Sequence, residues 1–119
     1  MIKDSRTLVD IIHGNLRFSL GEDLGSGNYT KDISPWVIGY ILGVEWEDTI
    51  VAYTNHMDDT LSEYQGTYMY TTDEATPFEA ALAQVGDKLI DYESRYYKTQ
   101  RLIAFSNWPT TDPLDWDPM

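Results

Sequence analysis

From Trp36 to Val44 the chain reads Trp-Val-Ile-Gly-Tyr-Ile-Leu-Gly-Val, an almost unbroken apolar and β-branched run. Neither a half-exposed strand, which alternates polar and apolar residues, nor an amphipathic helix produces such a run. It is the signature of a strand buried on both faces, as in parallel sheets. Ser34-Pro35 precedes it, and proline, which cannot donate to a ladder, suits a strand entrance. A second run of this kind, Arg101-Leu-Ile-Ala-Phe-Ser-Asn107, ends at Trp108-Pro109. Between the two lies a sharp helix start, Thr76-Pro77-Phe78-Glu79, a capping box with proline at the first helical position. The helix it opens, residues 77–99, carries Phe78, Leu82, Val85, Leu89, Tyr92 and Tyr96 at alternating spacings of four and three, a stripe for packing on a sheet. Strand, crossover helix and strand form a βαβ unit with parallel strands, whose carboxyl ends share one rim. The expected class is therefore α/β, and ligands in α/β folds bind at that rim.

The remaining segments supply supporting elements. Asp4 or Ser5 can cap a short helix over residues 4–13 that stops at Gly14-Asn15. Residues 19–31 have the Gly, Ser and Asn content of a loop. Glu45, Glu47 and Asp48 introduce a second short helix, about residues 48–56, where the helix dipole favours acids. Residues 57–75 form a long polar and aromatic excursion with room for a small extended segment. No internal repeat or low-complexity tract divides the chain, so residues 1–119 are expected to form one domain or part of one.

Charge narrows the partners. Twenty acidic against eight basic residues give a net charge of −12, which removes the electrostatic support for nucleic-acid binding and repels anionic lipid. A neutral ligand such as a carbohydrate is compatible with that charge. An alternative is a non-catalytic acidic interaction module that self-associates through sheet edges or imitates DNA. There is no cysteine, which excludes disulfides, thiolate metal sites and cysteine nucleophiles and leaves the compartment open. His13 and His56 lack partners at metal-ligand spacing and read as helix-terminal residues, so neither a metal nor a cofactor is expected. Neither a signal peptide nor an apolar stretch long enough to span a membrane is read from these residues.

Two places can carry chemistry. Glu45 ends the first strand and precedes Trp46, so its carboxyl can sit beside an apolar wall that disfavours ionisation, as a general acid requires. The competing role for Glu45 is to cap the next helix or pair with a basic residue. At the end of the second strand, Asn107, Trp108, Thr110, Thr111 and Asp112 offer an amide, an indole, hydroxyls and a carboxylate, the groups that recognise the apolar faces and hydroxyls of sugars. The competing structure there is an Asx-type turn between two prolines.

The stretches Val-Asp-Ile-Ile-His-Gly-Asn, Thr-Lys-Asp-Ile-Ser-Pro-Trp-Val-Ile-Gly-Tyr-Ile-Leu-Gly-Val-Glu-Trp, Ala-Thr-Pro-Phe-Glu and Ala-Phe-Ser-Asn-Trp-Pro-Thr-Thr-Asp-Pro-Leu resemble the central part of a bacterial family of glycoside-hydrolase-like (β/α)8 barrels. The resemblance runs over nearly the whole chain. It implies a partial barrel segment, with residues 36–45 similar to strand four and 101–107 similar to strand five. In retaining barrel glycosidases strand four ends in Asn-Glu, whose Glu is the acid/base. Glu45 occupies the matching place, with Val44 where the Asn would stand, and the resemblance casts Trp46, Asn107, Trp108, Thr111 and Asp112 as sugar-site residues. A retaining site needs two carboxyl groups about 5–5.5 Å apart, and a closed barrel about 250 residues. The expectation is thus a carbohydrate-active segment, inactive alone, whose strand edges are covered by remaining barrel segments or a second copy.

Overall fold

In the computed structural model, residues 1–19, 26–57 and 63–107 are described. Their order is α1 (Ile2–Ile12), β1 (Leu16–Phe18), β2 (Gly27–Tyr29), a 3₁₀ turn (Ser34–Trp36), β3 (Gly39–Leu42), α2 (Asp48–Met57), α3 (Pro77–Tyr97) and β4 (Leu102–Phe105). The architecture is mixed α/β. β3 and β4 form a parallel pair with Gly39 opposite Leu102 and Leu42 opposite Phe105, while β1 and β2 form a separate antiparallel pair.

The capping box sets the start of α3. The Thr76 backbone N–H donates to Glu79 Oε2 at 2.7 Å, and the Glu79 N–H donates to Thr76 Oγ1 at 3.3 Å, with Pro77 in the first turn. These bonds engage donors that a helix start otherwise leaves unpaired, and such a cap stabilises a helix by about 1 kcal/mol. The helix ends at Lys98, whose left-handed backbone (φ 56°, ψ 32°) breaks the hydrogen-bond ladder. Its apolar stripe is used as the spacing requires: Val85 and Leu89 are buried, with Phe78, Leu82 and Tyr92 half-buried. Against them lie Tyr40 and Leu42 of β3 and Val9 and Ile12 of α1, with Ile103 and Phe105 of β4 packed at the margin. Fully burying a side chain such as Leu89 is worth roughly 1.5–3 kcal/mol. A two-stranded pair is marginal by itself, so α1 and α3 are what hold β3 and β4 in place.

Several expectations are revised. The apolar runs are longer than the strands they contain: Ser34–Trp36 turns, and pairing is confined to Gly39–Leu42 and Leu102–Phe105. β3 is not buried on both faces. Its residues alternate, Tyr40 and Leu42 inward, while Ile41 is 74% exposed, and Leu102 of β4 is 78% exposed. The reason is layering, because the helices cover one face of the pair and nothing among the described residues covers the other. Tyr96, expected on the packing stripe, is largely exposed near the helix end. The glycine-rich loop also contains a strand, β2, which pairs with β1 next to α1.

The excursion after α2 contains a small extended segment. Gln65 and Tyr70 bridge in antiparallel fashion, the Gly66 N–H donates to Met69 O at 2.9 Å, and the Thr71 N–H donates to Tyr64 O at 2.9 Å. This turn is pinned to α3 by buried Asp87, which accepts from the Tyr68 N–H (2.7 Å), the Met69 N–H (3.1 Å) and the Tyr64 hydroxyl (2.9 Å). Gly66 lies so close that a Cβ there would stand 2.4 Å from the Asp87 carboxylate.

Candidate functional site at the strand exits

Parallel pairing carries the two candidate stretches out at the same end. Beyond the last paired residues, the Ser106 N–H still donates to Leu42 O at 2.9 Å, so the strands separate only after Leu42 and Ser106. Gly43 turns the chain with φ +102°, a backbone state that L side chains rarely adopt. A Cβ at Gly43 would also press on Trp46 Nε1 at 2.9 Å and Ser106 O at 3.0 Å. The turn therefore folds Trp46 back onto the fold, edge-on to Phe78 in the first turn of α3 (ring centroids 5.4 Å apart, planes at 78°). Glu45 and Asn107 are left solvent-exposed beyond the ends of β3 and β4.

Of the expected site residues, Glu45, Trp46 and Asn107 thus lie at one end of the parallel pair. Trp46 packs on the fold, half-buried with its indole N–H enclosed. Trp108, Thr111 and Asp112 lie outside the described residues. Beside Asn107 is a crevice of about 270 Å³ between the 64–71 turn, the start of α3 and the end of β4, bounded by Met69, Tyr70, Phe78, Leu82, Phe105 and Asn107. The start of α3 is tied to α2 by the Phe78 N–H, which donates to Asn55 Oδ1 at 3.0 Å.

At the opposite, amino-terminal end of the strands is a charged cluster that the sequence analysis did not single out. Glu93 of α3 is 1% exposed. Its Oε1 accepts from the Tyr40 hydroxyl at 2.9 Å and from the Arg101 guanidinium, and it hydrogen-bonds His13 Nε2 at 2.8 Å. Arg101 also donates to the carbonyls of Val37 (2.9 Å) and Ser34 (2.8 Å). His13, the residue that ends α1, stacks on Tyr97 with ring centroids 3.8 Å apart. The Tyr92 and Tyr97 hydroxyls donate to Asp10. One carboxylate therefore ties together α1, β3, α3 and the residue leading into β4. His13 is helix-terminal, as expected, but its ring is committed to Glu93. A signal was present in the sequence: Glu93 follows Val85 and Leu89 at steps of four, an acid on the apolar face of its helix.

Burial and the neighbouring carboxylates raise the tyrosine hydroxyls. Burial first and Glu93 second push Tyr40 far above its ordinary value of 10.0, and burial with Asp10 pushes Tyr92 up to about 12. Tyr97 is raised for the same two reasons. Each of these groups favours the neutral phenol in the folded state. Their contribution to stability is complete below pH ~10, the unfolded value, and is lost as pH rises through the folded values. A spectroscopic alkaline titration is expected to show a subset of the nine tyrosines ionising late, together with loss of far-UV circular dichroism. Uniform ionisation near pH 10 with the fold intact would contradict the burial of these hydroxyls.

The buried cluster is closed and suited to holding elements together, whereas the exit end is open and carries the exposed acid, the amide and the crevice. No protein-family model, curated protein or solved structure matches the chain.

Proposed function

We propose that the chain is a glycoside-hydrolase-like segment of a (β/α)8 barrel, carbohydrate-active within a complete barrel and inactive alone. Glu45 is its proton donor, and Trp46, Asn107, Trp108, Thr111 and Asp112 shape the sugar site. The observation that carries this proposal is the parallel, in-register pairing of β3 with β4, by which Glu45 and Asn107 leave the sheet at the same end. In parallel α/β folds that end is where catalytic groups converge. The uncovered apolar face of the pair, with Ile41 and Leu102 exposed, also supports a barrel segment, because the inner face of a barrel strand is filled only when the other strands are present. Hydrolysis with retention needs a second carboxylate about 5–5.5 Å from the first, which the remaining strands would supply.

The test is Glu45→Gln in the longest natural form of the protein, assayed on glycosides with poor leaving groups. Loss of a general acid is expected to lower turnover by roughly 10²–10⁴-fold. Unchanged turnover on a responsive substrate would remove Glu45 from the mechanism.

The same exposed apolar face favours one second possibility, a non-catalytic module that self-associates through its open sheet. Sedimentation equilibrium separates the two: a monomer at all concentrations counts against self-association.

A further inference from the structure

Resting on the glycosidase-like assignment above, we propose that the crevice at the exit of β4 is a subsite for one neutral sugar ring, with Tyr70 as its stacking platform and the Asn107 amide as its hydrogen-bonding partner. The ligand class follows from what the lining offers. Phe78, Leu82 and Phe105 provide an apolar floor, and the Tyr70 side chain stands at the margin, 74% exposed although its backbone is fixed by the bridge to Gln65. A large ring held out by an ordered turn is preorganised for contact, because its backbone entropy is already lost.

The polar groups of the lining are mostly engaged within the fold. The Glu79 carboxylate accepts from the Thr76 N–H at 2.7 Å and the Thr76 hydroxyl at 3.0 Å. The Thr71 hydroxyl accepts from the Tyr64 N–H at 2.9 Å. Among the described residues, the Asn107 side-chain amide makes no hydrogen bond, and it is exposed. The crevice therefore presents one carboxylate already hydrogen-bonded to Thr76, one amide able both to donate and to accept, and a flat aromatic surface. An anionic ligand would face the Glu79 carboxylate and a net charge of −12. A purely apolar ligand would leave the amide unpaired. A pyranose ring, with an apolar C–H face and a rim of hydroxyls, satisfies both surfaces. The volume of about 270 Å³ lies just below the usual range of roughly 300–1,000 Å³ for pockets holding larger ligands, which limits the site to a single ring.

The test is a titration of the isotope-labelled full chain with cellohexaose, xylohexaose, mannohexaose and a chitin hexasaccharide, with oligogalacturonate as the anionic comparison, followed by amide NMR. At least one neutral oligosaccharide is expected to shift the Asn107 side-chain amide and the Tyr70 backbone signal. Tyr70→Ala is expected to weaken that binding by about tenfold or more, as loss of a buried aromatic contact implies. Tyr70→Phe keeps the ring and is expected to retain it. Because Tyr70 is mostly exposed, an unchanged circular dichroism spectrum of the Ala variant will separate lost contact from lost fold. Absence of any shift with all four neutral sugars at about 10 mM would overturn the subsite. So would equal affinity for Tyr70→Ala, or binding of oligogalacturonate alone. Binding is read separately from turnover. Sugar binding that depends on Tyr70 alongside full activity of Glu45→Gln would leave the subsite standing and the catalytic assignment broken.

Discussion

Arg101→Met is expected to lower the free energy of unfolding by about 3–5 kcal/mol, because it leaves the buried carboxylate of Glu93 without its cation. The pair lies where both side chains are nearly inaccessible, 9% and 1% exposed, so water cannot replace the lost partner. Two backbone carbonyls, of Ser34 and Val37, lose their donor in the same variant. The loss is a large part of the roughly 5–15 kcal/mol that stabilises a domain of ordinary size. Urea unfolding will measure it as a shift in midpoint at unchanged slope. Glu93→Leu combined with Arg101→Met is expected to cost less than the sum of the single changes, because the second substitution removes the charge that the first orphans. A loss below about 1 kcal/mol for Arg101→Met would mean that the cluster is hydrated and is not the tie between α1, β3, α3 and β4 inferred from its bonds.

Asp87→Ala is expected to cost about 3 kcal/mol and to free the 64–71 turn from α3. The carboxylate is the acceptor for two backbone N–H groups and one hydroxyl of that turn, and nothing else among the described hydrogen bonds joins the two elements. Burial alone would raise the Asp87 carboxyl. The N–H groups of Tyr68 and Met69 and the Tyr64 hydroxyl outweigh it and hold the group below its ordinary value of 3.8. A depressed folded value gives a contribution that is complete above about pH 4 and is lost as pH falls through the folded value. Hydrogen exchange should show the Tyr68 and Met69 amides protected in the native chain near neutrality, and unprotected in Asp87→Ala. Protection that survives the substitution would show that the turn is held by its own bonds. Because Met69 and Tyr70 line the crevice beside Asn107, the same variant is expected to disturb that site as well.

Legibility in the sequence followed the range of the interactions concerned. The start of α3 is local, since Thr76, Pro77 and Glu79 act within one turn, and it was readable to the residue. The existence of two strands and their parallel direction were also readable, since two apolar runs joined by a long crossover leave few other arrangements. Their ends were not, because pairing stops where a partner stops, and the partner of Leu42 is a residue sixty-three positions away, Phe105. The candidate site was legible as far as Glu45 and Asn107 stand at the strand exits. That Trp46 would turn inward onto Phe78 depends on the positive φ of Gly43 and on a helix that begins far along the chain.

What the amino-acid sequence by itself determined is the set of elements with strong local codes: a capped amphipathic helix, two apolar runs of strand type, and an acid and an amide at their carboxyl ends. Tertiary structure alone decided which face of the sheet is covered, which turn docks on α3, and that one glutamate of twenty acidic residues becomes the buried centre of the amino-terminal end. The physical reason is that burial is a property of the assembled layers. Glu93 can remain in the interior only because His13, Tyr40 and Arg101, separated by dozens of residues in the chain, arrive together with their donors turned toward one oxygen.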